Sequence, residues 1–190
     1  VRQYPPHPLQ RGLVKVAPSW EGRGVWLFDS EDGLAEILSR VFQGSAGPQN
    51  HCLVQDFVEG VVVEIRLHLL KGVVAGISHT RCKAKPGCPV QSSFGGRCAD
   101  GEWAAAEYLE GESRDQIIFH CFAGRHADLD LAESRCRCLV EVWRGFLLAD
   151  CAEFPPYVRF DFLVVPPVPG SHGGPEVWTG EITELGGQMC

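Results

Sequence analysis

The sequence predicts an α+β chain built from antiparallel hairpins and amphipathic helices. Two observations carry that class. Runs with a period of two are joined by short glycine turns, as where Val61 to Leu70 meets Val73 to His79 across Lys71-Gly72. Two other stretches, Leu34 to Val41 and Leu131 to Leu148, repeat their apolar residues with a helical period. The chain has 190 residues, 45% of them hydrophobic and 22% charged, which suits one globular domain or two small lobes.

In chain order, residues 1 to 10 hold three prolines and no apolar period, so they read as a leader or a truncated end. Leu13 to Val16 and Val25 to Phe28 are strands of a hairpin, with the loop from Ala17 to Gly24 between them. Asp29-Ser30, followed by Glu31 and Asp32, marks the N-terminus of a helix of about 12 residues. Gly44 to Gln49 is a turn, and Cys52 to Val58 is a buried-type strand ending at Glu59-Gly60. Lys83 to Gly101 is rich in glycine and cysteine without a period, and reads as a long surface loop. Helical pattern is expected around Trp103 to Glu110, and again from Leu131 to Leu148 on a face of Leu131, Leu139, Val142, Trp143, Phe146 and Leu147. A strand from Tyr157 to Val165, a Pro/Gly loop and a strand from Val177 to Thr183 close the chain.

Composition excludes several function classes. Seventeen basic against 24 acidic residues give a net charge of -7, which lacks the footprint of a nucleic-acid or polybasic membrane binder. No apolar run approaches the roughly 20 residues that span a bilayer. The nine cysteines are an odd number without paired C-x2-C knuckles, and read as free thiols rather than zinc ligands or staples. Cys52 and Cys121 are expected to be small buried hydrophobes, and His68, His79 and His120 structural histidines. No signal peptide is visible, and the expected compartment is the cytoplasm.

Three stretches can carry chemistry. In Tyr157 to Val164 the period of two puts Arg159 and Asp161 on one face and Phe160 and Phe162 on the other. In Val177 to Glu184 it puts Glu181 and Thr183 together. If these strands pair, an arginine, two carboxylates and a hydroxyl converge, which suits magnesium, a hard ion that combines one or two protein carboxylates with phosphate oxygens. A solvated strand face with salt bridges is the bland alternative. Lys15 precedes a loop containing Gly22 and Gly24, where backbone N-H groups can nest an anion, or which is a plain hairpin tip. Leu53 to Arg66 runs from a buried strand into a polar connection whose backbone can read a flat base, or is a strand and its turn.

The order of these pieces resembles the nucleotide site of the ATP-grasp superfamily: a lysine strand, a glycine loop, Gln55-Asp-Phe-Val-Glu-Gly, Glu64-Ile-Arg, then Arg159-Phe-Asp-Phe and Gly180-Glu-Ile-Thr-Glu. The resemblance runs from about Gly12 to Gly187 and implies two α+β lobes, with antiparallel sheets and flanking helices, holding ATP between them. It divides the chain into a partial first nucleotide lobe at 11 to 60 and a second lobe at 61 to 190 with an insertion at about 83 to 101. It implies ATP and Mg2+ as cofactors. It also implies small-molecule or peptide carboxylate and amine substrates, joined through an acyl phosphate.

Residue by residue, the resemblance assigns Lys15 to the α/β-phosphates and the Gly22 and Gly24 loop to closure over them. Gln55, Asp56 and Val58 would line the adenine, Glu64 would meet the ribose, Asp161 and Glu181 would hold magnesium, and Arg159 would stabilise the transferring phosphoryl group. Thr183 stands where most members carry Asn; this Glu-x-Thr variant is similar to a branch linked to bacterial cell-surface polymer biosynthesis. Phosphotransferase and non-catalytic nucleotide-binding module are the competing functions. Members usually carry a preceding domain for the acceptor, so a fragment of a longer protein is expected.

Overall fold

A computed structural model describes residues 10–16, 25–43, 52–83, 95–97, 103–105, 107–150, 154–168 and 173–184. The chain divides into two compact units, Val1–Phe57 and Val58–Cys190.

In the first unit, β1 (Gly12–Val16) lies between β2 (Val25–Phe28) and β3 (Cys52–Asp56), and both pairings are antiparallel. The helix α1 (Glu31–Gln43) starts where expected, with Ser30 Oγ accepting from the Gly33 N-H at 3.1 Å and two acids in its first turn. It packs Leu34, Ile37, Leu38 and Val41 against Val14, Val16 and Phe28, the core of this unit. Gly12 is required by close approach: a Cβ there would stand 2.4 Å from the Gln55 carbonyl oxygen and 2.5 Å from the Phe28 ring.

The second unit is built on a five-stranded antiparallel sheet. Its strands are β4 (Val63–Leu70), β5 (Val73–Lys83), β8 (Glu107–Leu109), β9 (Tyr157–Val165) and β10 (Glu176–Glu184), in the order β10-β9-β4-β5-β8. A separate ribbon pairs β6 (Gly95–Arg97) with β7 (Trp103–Ala105). The helices α2 (Arg114–Phe122) and α3 (His126–Asp150) contribute to the same core as one face of the sheet. There Val63, Ile65, Leu67, Leu69, Val158, Phe160, Phe162 and Val164 meet Ile117, Phe122, Leu129, Ala132, Cys136 and Val140. No helix among the described residues is long and apolar enough to cross a membrane.

Several expectations need correction. Trp103 to Glu110 is not helical: it forms β7 and β8, because β8 pairs with the end of β5 through Arg81↔Leu109 and Lys83↔Glu107. That pairing also carries β5 past His79 to Lys83, and strand pairing overrides the weak helical preference of an alanine-rich stretch. Part of the expected loop, Gly95–Arg97, is strand. The last helix starts at His126, and its buried stripe is Leu129, Ala132, Cys136 and Val140, whereas Leu131, Val142 and Phe146 are exposed. The helix α2 was not anticipated, although Ser113 and Gln116 form a reciprocal capping box. His120 lies exposed beside Phe119. Cys52 is only partly buried. The leader, the Gly22 and Gly24 loop and the turn at 44 to 49 lie outside the described residues.

Candidate functional site

Alternation along β4 and β9 gives the second unit's sheet a polar face opposite its core. Val63, Ile65, Leu67 and Leu69 are wholly buried, so Glu64, Arg66 and His68 point the other way. In the antiparallel register Arg66 stands opposite Asp161 and His68 opposite Arg159, which puts the β9 pair on that same face. The stacked rings of Phe160 and Phe162 fill the core side.

The strand β10 reaches this face only through an irregularity. Thr179 pairs with Phe162 and Glu181 with Asp161, so Gly180 is the extra residue of a β-bulge. Before it, Val177 and Thr179 lie on the core side, where the Trp143 indole N-H donates to Thr179 Oγ1 at 2.9 Å. After it, Glu181 stands opposite Asp161 and Thr183 opposite Arg159. Glycine suits the position, since a Cβ there would lie 3.1 Å from Leu163 Cγ and Cδ2 and 3.2 Å from the Asp161 carbonyl oxygen.

The side chains on this face form a chain of alternating charge. Arg159 donates from Nε to Asp161 Oδ1 and from Nη2 to Oδ2, both at 2.7 Å, a bidentate pair. Asp161 is 3% exposed. Arg66 donates from Nε to Glu64 Oε1 at 2.7 Å, with the same nitrogen 3.9 Å from Asp161 Oδ2 and Nη1 3.6 Å from Glu110 Oε1. Burial raises the Glu64 carboxyl above its ordinary value, and the Asp161 charge adds to this against the pull of Arg66 and Arg159. Burial works against the Arg159 cation, but its bonds and charge contact with Asp161, and the charge of Glu181, outweigh burial and raise its pKa. His68 bridges Tyr157 Oη at 2.9 Å and Ser78 Oγ at 3.3 Å, and burial with the nearby Arg159 charge pushes it down.

Arg159, Asp161, Glu181, Thr183 and Glu64 therefore share one sheet face. Val58 is half-buried with Val61, Cys82 and Leu163 in the same unit. Lys15, Gln55 and Asp56 belong to the first unit: Lys15 is half-buried on β1 opposite Val25 and Leu53, and Gln55 and Asp56 end β3 opposite Leu13 and Gly12. Gly22 and Gly24 lie outside the described residues. Two contributors escaped the sequence reading. Arg66 shares a strand face with Glu64 at a spacing of two, and Gly180 is a glycine inside a strand, a known mark of a bulge.

The donor set fits a magnesium ion. Asp161 and Glu181 face each other across two strands, and Thr183 Oγ1 is a buried hydroxyl with no hydrogen-bond partner. Among the described residues no three His, Cys, Asp or Glu side chains gather closely enough to hold a metal ion by themselves. Two carboxylates, with phosphate and water left to complete an octahedron, is what magnesium takes and what zinc or calcium cages do not resemble. Cys82, Cys121 and Cys136 are buried free thiols, pushed up by burial to about 12, 11 and 12 and so protonated at neutral pH.

The architecture is the ATP-grasp fold, the class of an enzyme whose solved structure the chain resembles. That structure is the crystal structure of D-alanine–D-alanine ligase from Bacillus anthracis, matched with a TM-score of 0.50 at 16% identity over 92% of this chain. The match covers 44% of the ligase, so the chain spans less than half of that enzyme's length. No protein-family model and no curated protein matches the sequence.

Proposed function

We propose that the chain binds Mg-ATP and takes part in an ATP-dependent carboxylate–amine ligation that proceeds through an acyl phosphate. The observation that supports this best is the bulge-set register that gathers Arg159, Asp161, Glu181 and Thr183 on one face of an ATP-grasp sheet. In this reading Asp161 and Glu181, with Thr183, hold magnesium, which supplies charge neutralisation on the phosphate oxygens. Lys15 meets the α/β-phosphates, and the loop with Gly22 and Gly24 closes over them through backbone N-H groups. Gln55, Asp56 and Val58 line the adenine and Glu64 meets the ribose.

Arg159 stabilises charge on the γ-phosphoryl group, because phosphoryl transfer needs positioning and electrostatics more than covalent help. A substrate carboxylate oxygen attacks the γ-phosphorus and the bond to ADP breaks. The amine then attacks the acyl carbon, phosphate leaves, and the amine gives up a proton. Hydroxylamine trapping tests the reaction class on a panel of amino acids and peptides with Mg-ATP. A hydroxamate together with ADP is the expected product. A phosphate ester would assign a phosphotransferase instead, and ADP-free mixtures with bound nucleotide would assign a binding module.

A further inference from the structure

Resting on that Mg-ATP reading, we propose that Arg66 is a positioning residue for Asp161, and that metal and nucleotide bind together because Arg159 must exchange Asp161 for phosphate while Arg66 stays. Both Asp161 oxygens are engaged by the Arg159 fork at 2.7 Å, and the carboxylate is 3% exposed. A cation approaching Asp161 must displace at least one of those bonds, and a guanidinium that neutralises a phosphoryl group must leave the carboxylate. The two events are the same movement.

When Arg159 leaves, the incoming metal ion becomes the main counter-charge of the buried carboxylate. Arg66 is the side chain beside Asp161 that stays to hold its orientation. It stands opposite Asp161 in register, with Nε 3.9 Å from Oδ2. It is anchored elsewhere, by Glu64 at 2.7 Å and Glu110 at 3.6 Å, and neither anchor is a proposed metal ligand. Arg159, in contrast, has its two hydrogen bonds among the described residues on Asp161 itself. One arginine is thus tied to the site's frame and the other to the ligand that must be freed.

The test measures Mn2+ affinity of the full chain by paramagnetic resonance of free Mn2+, with and without a non-hydrolysable ATP analogue. In the wild type the analogue should tighten Mn2+ by at least about tenfold, within the usual range of coupling between sites. In Arg159→Gln the nucleotide-free Mn2+ affinity should rise by about tenfold, the scale of one charge-assisted hydrogen bond, and the coupling should shrink. In Arg66→Gln, Mn2+ should bind about tenfold more weakly in both conditions, with Arg66→Lys recovering most of the loss. Should Arg66→Gln fail to fold, Glu110→Gln, which loosens Arg66 at its exposed anchor, takes its place: weaker Mn2+ binding is expected, and wild-type affinity overturns the role of Arg66. The exchange is overturned if Arg159→Gln binds Mn2+ no more tightly than wild type without nucleotide, or if folded Arg66→Gln matches wild type. A wild type that never binds Mn2+ with the analogue removes the Mg-ATP reading itself, and the exchange with it.

Discussion

Glu181 and Asp161 face each other across the strands in very different surroundings, and substitutions should separate their roles. Glu181 is exposed, so Glu181→Ala should change the stability of the ligand-free protein by less than about 0.5 kcal/mol. It should nevertheless abolish stabilisation by Mg-ATP analogue, read by thermal unfolding. Asp161→Ala leaves the half-buried Arg159 without its bidentate partner and should cost about 3 kcal/mol even without ligand, measured by urea denaturation. His79 offers a pH test away from the site. Burial pushes it below its ordinary 6.5, against the charge and hydrogen bond of Glu133 at 3.0 Å and with the help of the Arg114 charge. A base with a lowered folded pKa adds stability above 6.5 and loses it as pH falls through the folded value, because the unfolded chain takes the proton first. Urea denaturation of His79→Gln between pH 7.5 and about 5 should show a shallower decline than wild type, the remainder including His68, which is lowered as well.

At the scale of elements, the bulge at Gly180 decides what the last strand presents. With unbroken alternation Glu181 would share the side of Val177 and Thr179, which is the core side, and face Phe160 rather than Asp161. Deleting Gly180 removes only the extra residue and leaves Thr179 opposite Phe162 and Glu181 opposite Asp161, so Mg-ATP binding should persist, as judged by nucleotide-induced Tm shift, with the sheet retained by circular dichroism. Gly180→Val should destabilise by about 1–3 kcal/mol, since Leu163 and the Asp161 carbonyl oxygen leave no room, and chemical denaturation would measure it. These features explain what could be read beforehand. Arg159 and Asp161 were legible because Phe160 and Phe162 alternate with them without interruption. Glu181 and Thr183 were rightly paired with each other, but their meeting with β9 depends on an extra residue that a strict period does not reveal. The short strands β7 and β8 were read as helix because long-range pairing with β6 and β5, not local pattern, makes them strands. The capping box at Ser113 was a local signal and could have announced α2.

At the scale of the molecule, composition bounded the chain without assigning it, and the ordered set of motifs pointed to an architecture that the solved ligase structure matches at 16% identity. Such a match carries the fold, while the proposed chemistry rests on side chains that only the sheet register brings together. Each unit has its own core, and the second is the larger, with both helices and the sheet sharing one cluster of wholly buried residues. The measurement that bears most directly on the account is thermal unfolding of the full chain with magnesium and a non-hydrolysable ATP analogue. At 100 times its dissociation constant the ligand should add about 2.7 kcal/mol, or roughly 5–10 °C in Tm for a chain of this size. A Tm that does not move at saturating Mg-analogue would contradict the nucleotide site.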